Sequence, residues 1–269
     1  MDSRSPREAP RMELCQVIER RKVADSTFRY TLASPFLARA VRPGNFINIR
    51  VSPSLMPLWR RPFSVHDADP SRGQVDILFQ VVGEGTRILS CASVGAELDV
   101  FGPLGNSFPL PPPGSPAVLV AGGLGIAPFL FLSRALKANG SPTHLLYGAR
   151  SRSRLVELDG FQALGVEIRL ATEDGSAGVR GTVVDLLQET ETDLPPEAWH
   201  YVCGPLAAVS AIGRELSRRQ GKVWVSLETT MACGFGACMG CAVKARGDRG
   251  YHLVCKDGPV FELSEVELW

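Results

Sequence analysis

The chain has 269 residues, 45% of them hydrophobic and 21% charged, with a formal net charge of +1. This is enough for one large or two ordinary domains with a sizeable core, and it gives no long-range attraction to nucleic acid or another polyanion. Seven cysteines, an odd count, and a charged, Pro-containing start without a signal peptide's apolar core exclude a secreted disulfide framework and point to a reducing cytoplasm.

Residues 1–10 read as a disordered lead-in. Residues 11–112 read as all-β. "FRYTLAS" and "NFINIRV" alternate apolar and polar side chains, and "QVDILFQVV" is a longer apolar strand. Gly and Pro clusters separate these runs, which predicts a small antiparallel barrel. Two signals within it suit a phosphate-bearing ligand. In "LWRRPFSV" an Arg ends a strand beside a Ser, so a guanidinium can grip a phosphate while a hydroxyl or N–H meets a flavin edge. In "VVGEGTRILS", Gly83, Gly85 and Thr86 precede an apolar run of helical spacing, an anion-binding pattern. Taken singly, the first is more often a solvated strand edge and the second is as readily a capped hairpin turn.

"PLPPPGSP", Pro109 to Pro116, reads as a linker or a stiff last turn of the barrel. Residues 113–227 then alternate strand and helix, which predicts a parallel sheet with crossover helices. The apolar run Ala117 to Leu132 is short for a membrane span and is broken by glycines and a proline. It reads as a buried strand, a glycine turn and the start of a helix. Gly122, Gly123 and Gly125 make that turn an imperfect pyridine-nucleotide fingerprint. "YVCGPLAAV" repeats the pattern. Cys203 and Gly204 stand at the C-terminal end of a parallel strand, where the thiol would touch a nicotinamide or simply fill core. Arg150 and Arg152 in "GARSRSR" would suit a 2′-phosphate, so NADP is possible beside NAD; a solvated loop is the plainer reading.

Residues 228–269 are short and irregular and hold four cysteines, spaced Cys233-x4-Cys238-x2-Cys241-x13-Cys255. This is the plant-type 2Fe–2S spacing. The small residues between the thiols let backbone N–H groups approach sulfur. A four-cysteine zinc site is the second reading, because zinc favours a C-x2-C knuckle in each half and only one half has it here. Cys15 and Cys91 are expected to be small core residues.

The order "RRPFSV", "VGEGT", "AGGLGIAPF", "YGAR", "CGP", "SLETTMACGFGACMGC" and "VCKDGPVF" resembles the iron–sulfur, FAD-containing electron transfer subunits of dihydroorotate dehydrogenase, within the ferredoxin–NADP reductase superfamily. The resemblance runs from about residue 12 to 262. It implies a multi-domain α+β fold: an antiparallel β-barrel for FAD, an α/β parallel-sheet domain for NAD, and a small C-terminal 2Fe–2S lobe. It assigns Arg61, Phe63 and Ser64, with Pro62 and Val65 beside them, to the flavin motif, and Gly85 and Thr86 to the pyrophosphate loop. Cys233, Cys238, Cys241 and Cys255 become the cluster ligands. It further implies a separate FMN-containing catalytic subunit, a heterotetramer with two copies of each chain, and electron flow from dihydroorotate to NAD+ in pyrimidine synthesis. No acid–base constellation for dihydroorotate chemistry is legible, since His66, His144, His200 and His252 are scattered. A ferredoxin–NAD(P) oxidoreductase subunit is the alternative within the superfamily, and a zinc-stapled nucleotide-binding adaptor the alternative outside it.

Overall fold

The computed structural model describes residues 8–54, 56–190, 192–218, 221–247 and 250–268, so most of the expected lead-in lies outside the described residues. The first half is a closed barrel of β1 (Arg11–Ala24), β2 (Thr27–Ala33), β3 (Phe46–Arg50), β4 (Arg61–Asp69), β5 (Gln74–Gln80) and β6 (Glu97–Leu104), in the order β1-β2-β5-β4-β3-β6. All of its pairings are antiparallel. Alternation explains the closure: Tyr30, Ile47, Ile49, Val65 and Ile77 are fully buried inside, while their strand neighbours face outward. Helices α1 (Pro35–Ala40) and α2 (Glu84–Ser90) add Phe36, Leu37 and Leu89 to the barrel core.

The second half is a seven-stranded sheet. It contains β7 (Ala117–Gly122), β8 (Thr143–Ala149), β9 (Glu167–Thr172), β10 (Val179–Arg180), β11 (Trp199–Cys203) and β12 (Val223–Ser226), which run parallel. The crossovers carry α3 (Phe129–Ala138), α4 (Leu158–Ala163), α5 (Val183–Glu189) and α6 (Leu206–Leu216). Every residue of β7 is buried, as a central parallel strand covered on both faces requires. Thr182 caps α5, accepting from the Val184 N–H at 3.2 Å, while the Asp185 carboxylate accepts from the Thr182 N–H at 2.6 Å. The strand order is β10-β9-β8-β7-β11-β12. It reverses between β7 and β11, and the crevice at that reversal is where open α/β sheets take ligands.

The C-terminal segment is more tightly joined than its composition suggests. A hairpin of β13 (Ala242–Lys244) and β14 (Tyr251–Leu253) is followed by β15 (Val260–Glu262), which pairs antiparallel with β12 and completes the sheet. Cys241, Val254, Cys255, Phe261 and Val266 share one apolar cluster with Val120, Val202 and Val225. The lobe therefore borrows the core of the α/β domain and does not depend on its thiols alone.

Cys15 is buried inside the barrel, as expected. Cys91 is not core: it is exposed at the C-terminal end of α2, where its thiol donates to the Arg87 carbonyl at 3.4 Å. Leu89 supplies the inward apolar contact of that short helix, so Cys91 falls on the other face. Among the described residues no helix is long and apolar enough to cross a membrane.

Candidate functional site

One cavity of about 360 Å³ opens between the barrel and the C-terminal end of the parallel sheet. Pro62, Phe63, Ser64 and Thr86 line its barrel side, and Leu227, Thr229 and Met231 line the other. The two flavin-type motifs, twenty residues apart in sequence, are thereby brought together. Arg61 lies directly against the start of α2: a Cβ added to Gly85 would stand 2.6 Å from Arg61 Nε. A glycine is needed for that approach. The Thr86 hydroxyl is spent on its own turn, accepting from the Val82 and Gly83 N–H groups at 2.9 and 3.2 Å and donating to the Gly83 carbonyl at 3.0 Å. Its part at this site is to shape the loop that presents Gly85 to Arg61. Val65 points into the barrel core and not into the cavity; its backbone N–H donates to the Asn45 carbonyl at 3.0 Å.

A second cavity, of about 450 Å³, lies at the reversal of strand order. Gly122, Gly123, Gly125 and Gly204 line it, so the two glycine turns singled out in the sequence flank one crevice. Arg150 also lines it, as does Arg154, which sequence reasoning passed over. The Arg154 guanidinium donates to the Asp25 carbonyl at 2.9 Å, tying this wall to the barrel. Arg152 instead sits on an exposed turn, its backbone N–H donating to Ser176 Oγ at 2.7 Å. The Cys203 thiol is buried beside the crevice and is not on its surface. Burial, and next the nearby Glu228 carboxylate, push the thiol far above its ordinary value and keep it protonated.

The two cavities share three lining residues, Gln80, Leu124 and Glu228. Neither Gln80 nor Glu228 stands out in the sequence. Glu228 stands two residues beyond β12, at the carboxyl end of the sheet where ligands collect. Its residue surface is exposed toward the two cavities it lines, while its carboxyl is surrounded by protein. That enclosure raises its carboxyl above the ordinary range.

The thiol loop packs on the outside of the barrel. The Asn48 amide of β3, buried to 1% exposure, donates to the Cys233 carbonyl at 3.5 Å. It also occupies the space that a side chain at Gly234 would fill, and Gly234 has φ +79°. Phe46, two residues away on the same face of β3, lines the first cavity. At strand spacing this leaves only about 7 Å along β3 between that cavity and the thiol loop.

The four cysteines lie in one region of the lobe, and two of them are in direct contact. Cys241 Sγ and Cys255 Sγ are 3.2 Å apart, and the Cys255 N–H donates to Cys241 Sγ at 3.4 Å. Burial, then the adjacent Cys241 sulfur, push the Cys255 thiol up to about 12. At Cys233 burial opposes ionisation, but N–H groups of Phe235, Cys238 and Ala237 and the Cys238 thiol converge on its sulfur and bring it down to about 6. Backbone donors aimed at the Cys233 sulfur, and a close Cys241–Cys255 contact beside it, fit a binuclear iron–sulfur cluster. A single tetrahedral ion asks for four sulfurs about one point. Among the described residues no three His, Cys, Asp or Glu side chains converge in that way.

Comparison with known proteins follows the same three-part division. An oxidoreductase FAD-binding domain matches residues 14–108 and an oxidoreductase NAD-binding domain residues 119–213. The iron–sulfur cluster binding domain of dihydroorotate dehydrogenase B matches residues 228–267. The dihydroorotate dehydrogenase B (NAD(+)) electron transfer subunit of Desulforamulus reducens is 39% identical over 247 residues, covering 91% of this chain and 94% of that one. The subunit of the same name from Bacillus caldolyticus is 36% identical over 259 residues, covering 95% and 98%. Among solved structures, one of an NADH-dependent reduced ferredoxin–NADP oxidoreductase superposes with a TM-score of 0.86 at 29% identity, covering 95% of this chain and 90% of that one. Ferredoxin–NADP+ reductase from Plasmodium falciparum, at 13% identity and a TM-score of 0.64 over 76% of this chain and 89% of that one, shares the fold. With FAD-binding, NAD-binding and iron–sulfur domains in one oxidoreductase chain, and relatives matched along almost their whole length, this protein belongs to the family of dihydroorotate dehydrogenase B electron transfer subunits.

Proposed function

We propose that this chain carries electrons from a partner flavoprotein that oxidises dihydroorotate, through a 2Fe–2S centre and FAD, to NAD+ in pyrimidine synthesis. The observation that carries the reading is the alignment of three sites. The thiol loop and the first cavity meet along β3, and the first and second cavities meet at Gln80, Leu124 and Glu228. When bound, an iron–sulfur cluster handles single electrons, a nicotinamide a hydride, and a flavin both, so the flavin belongs in the middle.

The residues divide the work accordingly. Arg61, against Gly85 at the start of α2, grips the FAD pyrophosphate. Pro62, Phe63 and Ser64 hold the isoalloxazine edge. Gly122, Gly123, Gly125 and Gly204 admit the nicotinamide nucleotide, and Arg150 and Arg154 face its charged end. Cys233, Cys238, Cys241 and Cys255 ligate the irons. The catalytic partner, an FMN-containing subunit in a heterotetramer with two copies of each chain, docks on the exposed face beside Cys238. There Phe235 and Met239 are 56% and 58% exposed, and Phe235 stacks edge-on against Phe101 at 6.0 Å. On this reading the chain works in the cytoplasm, whose reducing conditions keep cysteines available as cluster ligands.

Anaerobic purification with the co-expressed partner tests the reading. Expected are flavin, iron and acid-labile sulfide in this chain, a complex with equal numbers of the two chains, and dihydroorotate-dependent NAD+ reduction by the complex alone. NADH is expected to outperform NADPH. The close superposition on a ferredoxin–NADP oxidoreductase supports a second reading, in which ferredoxin is the electron partner. Reduction of NAD+ by reduced ferredoxin, with none driven by dihydroorotate and the partner, would favour it.

A further inference from the structure

Glu157, at the N-terminal boundary of α4, has φ +61°, a left-handed conformation disfavoured for a residue with a Cβ. Its side chain is 6% exposed and buried against the barrel. Its carboxylate accepts from Arg29 Nη1 of β2 at 2.7 Å and lies 3.5 Å from His66 Nε2 of β4. Arg29 is held in turn by Asp76 of β5, which accepts from Arg29 Nε at 3.1 Å.

His66 reaches this contact through a second irregularity. Val65 pairs with Ile77 and Asp67 with Asp76, so His66 is the extra residue of a bulge with no partner opposite it. Bulges re-aim side chains. This one sends a fully buried imidazole toward the α/β domain, where its Nδ1 donates to the Ala127 carbonyl at 2.7 Å. The two segments so gripped are cavity walls. Ala127 lines the first cavity, and Arg154 and Val156, just before Glu157, line the second. Two departures from regular backbone, one in each domain, thus meet at a single carboxylate. Simple docking needs neither: Arg134 of regular helix α3 joins the same domains by donating to Asp67 at 2.8 Å, with its side chain 51% exposed.

We propose that Glu157 is a positioning residue for hydride transfer. Its ion pair with Arg29, packed against His66, keeps the nucleotide cavity in register with the flavin cavity and so sets how the nicotinamide meets the flavin. This rests on the assignment of the two cavities made above.

The test uses the full-length, flavin-loaded chain with NADH. It reads three quantities: the NADH dissociation constant, the rate of flavin reduction at saturating NADH, and the long-wavelength absorption of the NADH–flavin complex. Glu157→Gln and Arg29→Gln are expected to slow flavin reduction about 10- to 100-fold and to weaken the long-wavelength band. Flavin content stays at the wild-type level, and the dissociation constant moves less than about threefold. Glu157→Asp recovers part of the rate, and Arg134→Gln leaves both rate and band unchanged. If Glu157→Gln does not fold, Glu157→Asn carries the same test, because Asn tolerates the left-handed backbone. Variants that lose thermal stability but keep the wild-type rate and band would overturn the assignment alone. Wild-type protein that binds flavin and NADH but is not reduced would overturn the cavity reading and this assignment together.

Discussion

The junction between the two cavities, proposed above as the flavin and nucleotide sites, and the thiol loop are built by opposite means. The junction is assembled from segments far apart in the chain, from Arg61 to Glu228, many of them carried by regular strands. The thiol loop takes three of its four cysteines from nine consecutive residues, 233–241, most of them outside regular structure. It leans on the barrel through Asn48 and on the sheet through β15. A scaffold-built site should fail gradually when one contact is removed. A loop whose donors all serve one centre should fail at once.

The sharpest contrast comes from Cys241→Ser, or Cys255→Ser, which removes half of the buried sulfur pair. Loss of nearly all bound iron is expected, with flavin content retained, as measured by iron, sulfide and flavin assays on one sample. Concomitant loss of flavin would show that the two regions are not separable. Next in size is Gly85→Ala. The new Cβ would displace the Arg61 guanidinium and weaken FAD binding about 10- to 100-fold, the loss expected for charge-assisted hydrogen bonds, while leaving iron content intact. Equilibrium flavin release measures it.

Two carboxyls at the junction are expected to titrate in opposite directions. The Glu157 carboxyl, despite its burial, is brought down to about 2 by His66 and Arg29. Its folded value lies below its unfolded one. Its stabilisation is present above the ordinary value of 4.5 and is lost as pH falls from there toward 2. Glu228 is raised by burial, so the unfolded state releases its proton first and stability is lost as pH rises above 4.5. Thermal melts of the flavin-loaded chain should show Glu157→Gln costing stability at pH 6 but not near pH 2. Glu228→Gln should gain stability at pH 7 but not at pH 4. The same sign for both would break the picture of a partly enclosed Glu228. The smallest effect concerns the nucleotide end. Arg154→Ala should weaken NADH binding a few-fold, about 1 kcal/mol, and Arg152→Ala should leave it unchanged, by titration calorimetry.

How much was legible in the sequence follows the same division. The cysteine spacing is local, so it could be read directly, while the contact between Cys241 and Cys255, fourteen residues apart, needed the fold. The barrel and the parallel sheet were legible because period-2 alternation and fully apolar strands such as β7 mark burial on one face or two. What could not be read depends on tertiary approach. Gln80 and Glu228 are ordinary residues until the fold sets them between two cavities. Arg154, not Arg152, lines the second cavity because the short turn after β8 carries Arg152 to the exposed side. Cys91 looks like core in a run of small residues, yet α2 is too short to bury two faces. The role of Thr86 also changes: its hydroxyl is consumed in a cap, and the approach of Arg61 to Gly85 is the contact left to meet a phosphate.

The most direct test of the central claim is an anaerobic titration of the purified chain with NADH, followed by visible absorption and low-temperature electron paramagnetic resonance. The account predicts bleaching of a flavin band together with the growth of a reduced binuclear iron–sulfur signal, from one polypeptide and one reductant. A protein in which NADH bleaches flavin but no iron–sulfur signal appears, or in which zinc replaces iron and sulfide, would contradict it.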